Sequence, residues 1–328
     1  MDLIIMSAKE IDRLAVINKL IDKQINGTEA ALEMRLTTRH VRRLKQLVIT
    51  CGPRGLLHKG RGRISNRRMK DALTEKILVL LRSTYRGFGP TLAAEKLSEN
   101  HRVKISDETL RTMMTIHKLW KPKPRRKNKQ YRTWRPRREH YGSMQQYDGC
   151  YHLWFEDRAP ECCLLLSVDD ATGRITRARF DDHEGVIPTF TFWKGYVESK
   201  GKPVAVYLDK FSTYKINHPA AQDNKELITQ FERACKTLGM ELITAHSPEA
   251  KGRVERMFLT LQDRLVKELR LCNISDIKVA NTFLEEEYIP AFNARFAVVP
   301  ARRADLHRPL TEIDRQHLTS TFSVHSTR

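Results

Sequence analysis

Ser247-Pro-Glu-Ala-Lys-Gly-Arg-Val-Glu-Arg256 is the stretch whose reading decides the fold. A short apolar run, Met240-Glu-Leu-Ile-Thr-Ala245, precedes it and reads as a strand. A long amphipathic pattern follows, with Val254, Phe258, Leu261, Leu265 and Leu269 at helical spacing. Pro248 and Gly252 shape a tight entry that lets the backbone approach a ligand. Glu255 then falls early on a helix, beside the apolar stripe rather than opposite it, so its carboxylate is expected to face the sheet edge instead of solvent. A solvated helix start is the commoner setting for such a glutamate, so the reading turns on whether other carboxylates fall at matching places.

Two do. Gln145-Gln-Tyr-Asp-Gly-Cys-Tyr-His-Leu-Trp-Phe155 alternates, is rich in aromatics and reads as a strand with Asp148 in its middle. Val204-Ala-Val-Tyr-Leu-Asp209 is the apolar run of a buried parallel strand with Asp209 at its carboxyl end. Ligands of open α/β sheets bind at the carboxyl ends of strands. Three converging carboxylates repel one another, by about 4 kcal/mol per pair at ~4 Å and an effective dielectric near 20. A cation or a shared proton relieves that repulsion, and an all-oxygen donor set favours Mg²⁺ or Mn²⁺. Around these three residues the pattern gives a strand, a second strand (163–168), a turn at Asp170-Ala-Thr-Gly173 and a third strand (174–180). A helix (186–199), a strand (204–208), a helix (223–238), the strand 241–245 and the long helix complete it. Three antiparallel strands followed by two crossover units is the ribonuclease-H-like order, a mixed five-stranded sheet. Asp169 and Asp170 read as turn acids of the hairpin, and Asp181 and Asp182 as surface loop charges. Glu249 is the rival to Glu255.

These motifs, Tyr147-Asp148-Gly149, Leu208-Asp209-Lys210 and Pro248-Glu-Ala-Lys-Gly-Arg-Val-Glu255-Arg256, resemble those of the DDE transposases and retroviral-type integrases. The likeness covers most of the chain after Met144, and the chain as a whole is similar to the ISNCY-type transposases of bacterial insertion sequences. The resemblance implies a DNA transposase that binds insertion-sequence ends and carries out metal-dependent strand cleavage and strand transfer. Asp148, Asp209 and Glu255 would be both its catalytic residues and its metal ligands, with two Mg²⁺ (or Mn²⁺) ions per active site. Its partners would be double-stranded DNA, as transposon ends and target, and further copies of the chain assembled on DNA. Its place would be the bacterial cytoplasm, in association with the nucleoid. Asp209 and Glu255 lie 46 residues apart, more than in retroviral integrases, and the polar segment 212–223 reads as the insertion. The competing reading is a non-catalytic DNA-binding regulator or a decayed transposase, and the intact carboxylate set argues for the enzyme.

Charge divides the chain in two. Residues 1–142 hold 34 Lys and Arg against 13 Asp and Glu, whereas residues 143–328 hold 25 against 26. The net +20 therefore lies wholly before the carboxylate region, as expected of a polyanion-binding portion joined to a separate functional domain. Six scattered cysteines, with no Cys-x-x-Cys pair, read as reduced thiols and not as a zinc module. No run of 18 apolar residues marks a membrane span.

Within the basic half, residues 1–50 read as a helix-turn-helix domain. Ser7 and Glu10 form a capping box, Asn26-Gly27 breaks the first helix, and Thr37 caps a third helix whose outward face carries Arg39, Arg42, Arg43 and Lys45. Residues 51–72 form a basic linker, with Arg61 and Arg63 set to track phosphates. Residues 73–119 read as a second helix-turn-helix-like domain, with Thr109 and Arg111 at the groove. Residues 120–142 are a basic connector in which Arg125, Arg126, Lys127 and Arg132 are set to neutralise phosphates while Tyr131 and Trp134 pack on sugars or bases. Residues 143–270 form the catalytic core, where Lys210, Lys251, Arg253 and Arg256 flank the motifs and could steer phosphates. Residues 271–328 read as a helical segment that stops before the small β domain of the resembled group. Its last alternating residues, Thr321 to Ser326, look like the first strand of a sheet.

Overall fold

A computed structural model describes residues 4–58, 60, 69–122, 136–209, 224–245 and 252–325. The expected insertion at 212–223, the linker arginines Arg61 and Arg63, the connector residues Arg125, Arg126, Lys127 and Arg132, and Lys210, Lys251 and Glu249 lie outside the described residues. The chain divides into two compact units, residues 1–76 and 77–328.

The first unit is built on α1 (Ala8–Ile21), α2 (Gly27–Met34) and α3 (Thr38–Cys51). Each begins where a cap places it. Glu10 closes the capping box on Ser7, Asn26 accepts from the backbone of Thr28 and Glu29, and Thr37 accepts from that of His40. Arg35, in the left-handed region at φ 53°, ends α2 and turns the chain into α3. Val16, Ile17, Leu20, Ala30, Ala31, Val41, Leu44 and Val48 form the core between the three helices.

The second unit holds a five-stranded sheet in the order β4-β3-β2-β5-β6. Its strands are β2 (Met144–His152), β3 (Cys162–Asp169), β4 (Ile175–Asp181), β5 (Ala205–Asp209) and β6 (Glu241–Ala245). β2, β3 and β4 pair antiparallel, and β5 joins β2 and β6 in parallel. This is the mixed five-stranded sheet expected from the sequence. β3 is buried along its whole length because helices cover both faces. On one side α7 (Val186–Lys200), α8 (Asn224–Thr237) and α12 (Glu312–Thr321) pack through Phe190, Trp193, Phe231 and Leu318 onto Tyr147, Leu165 and Val206. On the other side the stripe of α9 (Gly252–Leu271), Val254, Phe258, Leu261, Leu265 and Leu269, meets Leu164, Leu166 and Val168. The periodicity of β2 decides which of its residues serve which face: Tyr147 and Tyr151 go to the α7 side, Cys150 to the α9 side.

The segment after α9 does more than add helices. α10 (Ile277–Phe283), a π-helical turn (Leu284–Tyr288) and α11 (Ile289–Phe296) lie along the edge strand β4. Asn281 exchanges hydrogen bonds with the N–H and C=O of Phe180 (2.7 and 3.0 Å), and Asn293 does the same with Ile175 (2.8 and 2.8 Å). Two side-chain amides thus take the place of a neighbouring strand and cover an edge that would otherwise invite pairing. Arg302–Asp305, in the stretch that the sequence leaves between two helices, forms β7, parallel to β1 (His140–Tyr141). The chain end also departs from expectation. Thr321 closes α12, Phe322 is buried against Phe190, and the backbone of 321–325 is held by Arg233 and Gln230 of α8 instead of forming a strand.

Before the sheet come α4 (Asp71–Arg82), α5 (Pro90–His101) and α6 (Asp107–Ile116). Residues 77–119 belong to the same compact unit as the sheet. Glu95 of α5 receives a two-pronged contact from Arg264 of α9 (2.6 and 2.9 Å) and a third from Arg295 of α11 (2.7 Å). Lys96 pairs with Glu268 at 2.6 Å, and Lys267 and Arg270 lie over the Phe88 ring.

Candidate functional site

β2 and β5 set the site through their register. Met144, Gln145 and Gln146 pair with Ala205, Val206 and Tyr207, a constant offset of 61. Asp148 and Asp209 differ by the same offset, so carrying the register two residues further brings the two positions side by side on adjacent parallel strands. Asp209 is the last residue of β5, and Asp148 lies where β2 begins to outrun it. Asp148 is 7 % exposed.

α9 supplies the third position. The Val254 N–H donates to Gln146 Oε1 at 3.3 Å, and Gln262 Nε2 donates to Cys150 Sγ at 3.4 Å. Gln146, Asp148 and Cys150 alternate onto one face of β2, so α9 runs along that face with Asp148 between its two anchors. Glu255 is in the first turn of α9 and, against the expectation that it turns from solvent, is exposed, because it sits at the margin of the buried stripe. It shares a flank with Gln262, two turns on, and that flank reaches the Asp148 strand. The helix start is fixed from below: Gln146 Nε2 donates to Asp170 at 2.7 Å, the Arg138 N–H donates to the same carboxylate at 2.8 Å, and Arg253 is ion-paired with it.

Asp169 and Asp170 are turn acids, as read from sequence, and each is wholly buried. Asp169 accepts from Thr172 N–H and Oγ1, from Gly142 N–H and from Gln145 Nε2 at 2.7–3.0 Å. Its oxygens are spent on closing the hairpin and the strand entry. The Cys150 thiol is pushed up to about 11, first by burial and then by the Asp148 and Glu184 carboxylates, against the hydrogen bond from Gln262. That face therefore offers oxygen donors rather than a thiolate. Among the described side chains no group of three His, Cys, Asp or Glu is gathered as a metal site, and the Asp209 side chain is outside that description.

The remaining expected contacts divide. Arg39, Arg42 and Arg43 are exposed on α3, whereas Lys45 donates to the Leu20 carbonyl at 3.3 Å and so caps the end of α1. Thr109 bonds the Ser106 cap at the start of α6, and Arg111 pairs with Glu108 and lies 6.0 Å from the Trp120 ring. Arg253 is ion-paired with Asp170, and Arg256 is exposed. Sequence reading passed over one carboxylate. Glu184, 6 % exposed, lies in the loop before α7 and packs directly over Gly149, beside Asp148 in the chain.

No protein-family model matches the sequence. Two curated proteins align over nearly all of it. The putative transposase y4bF of Sinorhizobium fredii (strain NBRC 101917 / NGR234) is 42 % identical over 310 residues, which cover 94 % of this chain and 67 % of that protein. The transposase for insertion sequence IS1202 of Streptococcus pneumoniae is 29 % identical, covering 88 % of this chain and 68 % of its own. This chain thus spans about two thirds of each relative. Among solved structures, the simian T-cell lymphotropic virus intasome in complex with PP2A regulatory subunit B56 gamma matches 64 % of this chain and 71 % of its own, with a TM-score of 0.39 and 16 % identity. The HTLV-2 integrase catalytic core domain in complex with magnesium matches 50 % of this chain and 94 % of its own, with a TM-score of 0.35 and 19 % identity. With the y4bF alignment covering 94 % of its length at 42 % identity, the chain belongs to the transposases.

Proposed function

We propose that this chain is an active transposase, which binds insertion-sequence ends and cuts and joins DNA strands at a site made by Asp148, Asp209 and Glu255. The observation that carries the reading is the shared offset of 61: the β2–β5 register brings the two aspartate positions together, and α9 lays its first turn along the same strand. Three carboxylates from two strand positions and a helix start fit a hard divalent cation such as Mg²⁺ or Mn²⁺. Two such ions, when bound, would polarise the scissile phosphate and stabilise the attacking and leaving oxygens. The protein's own part is positional. Asp148 is held by its pairing with Leu166 of β3, Asp209 by the end of β5, and Glu255 by the Gln146 and Asp170 contacts beneath the helix start. Arg39, Arg42 and Arg43, together with Arg61 and Arg63 and the connector residues Arg125, Arg126, Lys127 and Arg132, supply the phosphate contacts. Lys210, Lys251 and Arg256 do so near the site, and α3 and α6, with Thr109 and Arg111, supply the groove contacts of two helix-turn-helix modules. Further copies of the chain assemble on paired ends.

The test is nicking of a duplex that carries the inverted repeats flanking the coding region. Cutting should require Mg²⁺ or Mn²⁺. Asp148→Asn, Asp209→Asn and Glu255→Gln should each abolish it with DNA binding intact. Full activity in Glu255→Gln, with loss in Glu249→Gln, would move the third carboxylate to Glu249. Nicking that survives all three changes would sink the assignment.

A further inference from the structure

We propose that the cleft between the first turns of α9, the β3–β4 turn and the end of α11 takes one unstacked nucleotide of the DNA strand, with its base against Phe292 and Phe296 and its phosphate among Arg137, Arg253 and Arg256. The proposal rests on the DNA-transposase reading above and adds a subsite to it. The cleft measures about 410 Å³, within the range of small-ligand sites. Phe292, Val168 and Met257 form its floor, and Phe296 stands at its edge, 40 % exposed and 4.7 Å from the Phe292 ring. Three guanidinium groups rim it and no carboxylate lines it. The neighbouring cleft between α5 and α9 differs, because Glu95, Glu99 and Glu268 balance its cations.

The rim is also held in place. Asp170 sits behind Arg253 and pairs with it, while Arg137 donates to the Ala171 carbonyl at 3.2 Å. A cationic rim over an aromatic floor matches a nucleotide, which is anionic at one end and offers a flat apolar face at the other. Free phosphate would leave the floor unused. An apolar peptide would bury the guanidinium rim without bringing an acceptor of its own. A base within a duplex is stacked and hidden, so the occupant is a base from a single strand or a locally opened end.

Its place in the substrate follows from the helix. Arg253, Arg256, Met257 and Thr260 share one flank of α9, and Glu255 lies on the other, by the 3.6-residue repeat. A strand crossing from the cleft to Glu255 spans the width of a helix, about 10 Å. At roughly 3.4 Å per nucleotide for a stacked strand, and more for an opened one, the bound base is no more than about three nucleotides from the scissile phosphate.

The experiment uses the whole chain carrying Asp148→Asn, without divalent metal, so that binding is read without cutting. 5-Iododeoxyuridine is placed at successive positions near one end of an inverted-repeat duplex, and ultraviolet adducts are mapped by peptide mass spectrometry. Adducts should fall on the peptide holding Phe292 and Phe296 and peak at one position, no more than about three nucleotides from the phosphate that the unsubstituted chain nicks. Phe296→Leu should cut that adduct about tenfold. Arg137→Gln, an exposed position whose change spares the fold, should weaken it similarly. Adducts spread evenly along the strand, or confined to Tyr131 and Trp134, would overturn the proposal. Nicking by the unsubstituted chain without the Phe296 adduct removes the cleft and keeps the transposase. A sharp adduct without metal-dependent nicking supports the cleft and removes the transposase reading.

Discussion

Gly149 is a position where a single methyl group has no room. A Cβ there would fall 2.6 Å from Glu184 Oε2, 2.7 Å from its carboxyl carbon and 3.1 Å from Cys163 Sγ. Glu184 cannot swing away cheaply, because it is buried and its own N–H is tied to the Tyr151 hydroxyl at 2.8 Å. Gly149→Ala should therefore destabilise the chain by about 1–3 kcal/mol, read as a fall in thermal midpoint. Shortening the obstacle should relieve it: Gly149→Ala with Glu184→Ala should cost less than the two single changes together. Strict additivity would mean that the clash is taken up elsewhere. The sequence shows the Asp-Gly pair but not its reason. Glu184 is 35 residues away, in the loop that follows Asp181 at the end of β4, and no periodicity sets it apart from Asp181 and Asp182. The mid-strand place of Asp148, by contrast, was legible because alternation along one strand fixes which residues share a face.

At the scale of elements, the parts with local signatures were the legible ones. The apolar runs of β3 and β5, the alternation of β2, the caps of α1 and α3 and the stripe of α9 each lie within about twenty residues of sequence. What was not legible pairs residues far apart: β1 with β7, Asn281 and Asn293 with β4, and α5 with α9. The last has a measurable consequence. Among the described residues none of α4, α5 or α6 belongs to the apolar cluster beneath α9, and ion pairs seat α5 there. Glu95→Gln would leave Arg264 and Arg295 sharing a neutral amide. With the Glu95 and Arg264 side chains only 11 % and 16 % exposed, it should cost about 2–4 kcal/mol. Glu99→Gln, at a half-exposed side chain 3.6 Å from Arg295, should change stability by no more than about 0.5 kcal/mol. Equal effects in urea unfolding would mean that the seat is not ionic. A second clasp is pH-sensitive. The hydrogen bond from Lys202 holds the Asp314 carboxyl at about 2, below its ordinary 3.8. A depressed folded-state value stabilises above the unfolded one, so this contribution is full at pH 5 and is lost as pH falls from about 4 to about 2. Asp314→Asn should remove that part of the acid transition, and an unchanged acid profile would show that Asp314 does not contribute to it.

The whole molecule carries its charge on one side of the sequence, and the fold decides which cations are placed to meet DNA. Residues 1–76 hold seventeen Lys and Arg against eight Asp and Glu. Within that unit the outward face of α3 presents Arg39, Arg42 and Arg43 to solvent, while Val41, Leu44 and Val48 face the core. Lys45 shares the helix, but its ammonium is bonded to the Leu20 carbonyl. The four residues look equivalent in sequence and should not behave alike. Each phosphate neutralised on duplex DNA adds about 0.9 to the steepness with which log affinity falls against log salt. Replacing Arg39, Arg42 and Arg43 together by Gln should lower that steepness by about 2 to 3 in the whole chain. Because the three are exposed, the thermal midpoint should barely move. Lys45→Gln should do the reverse: a loss of stability of about 0.5–1 kcal/mol from the uncapped end of α1, with the salt slope altered by less than about one contact. Both quantities are measurable on one set of proteins, by fluorescence anisotropy from 50 to 200 mM salt and by thermal melts. A triple arginine variant with an unchanged slope would show that the α3 face does not meet phosphate, and the +20 excess would then have to act through the linker and connector.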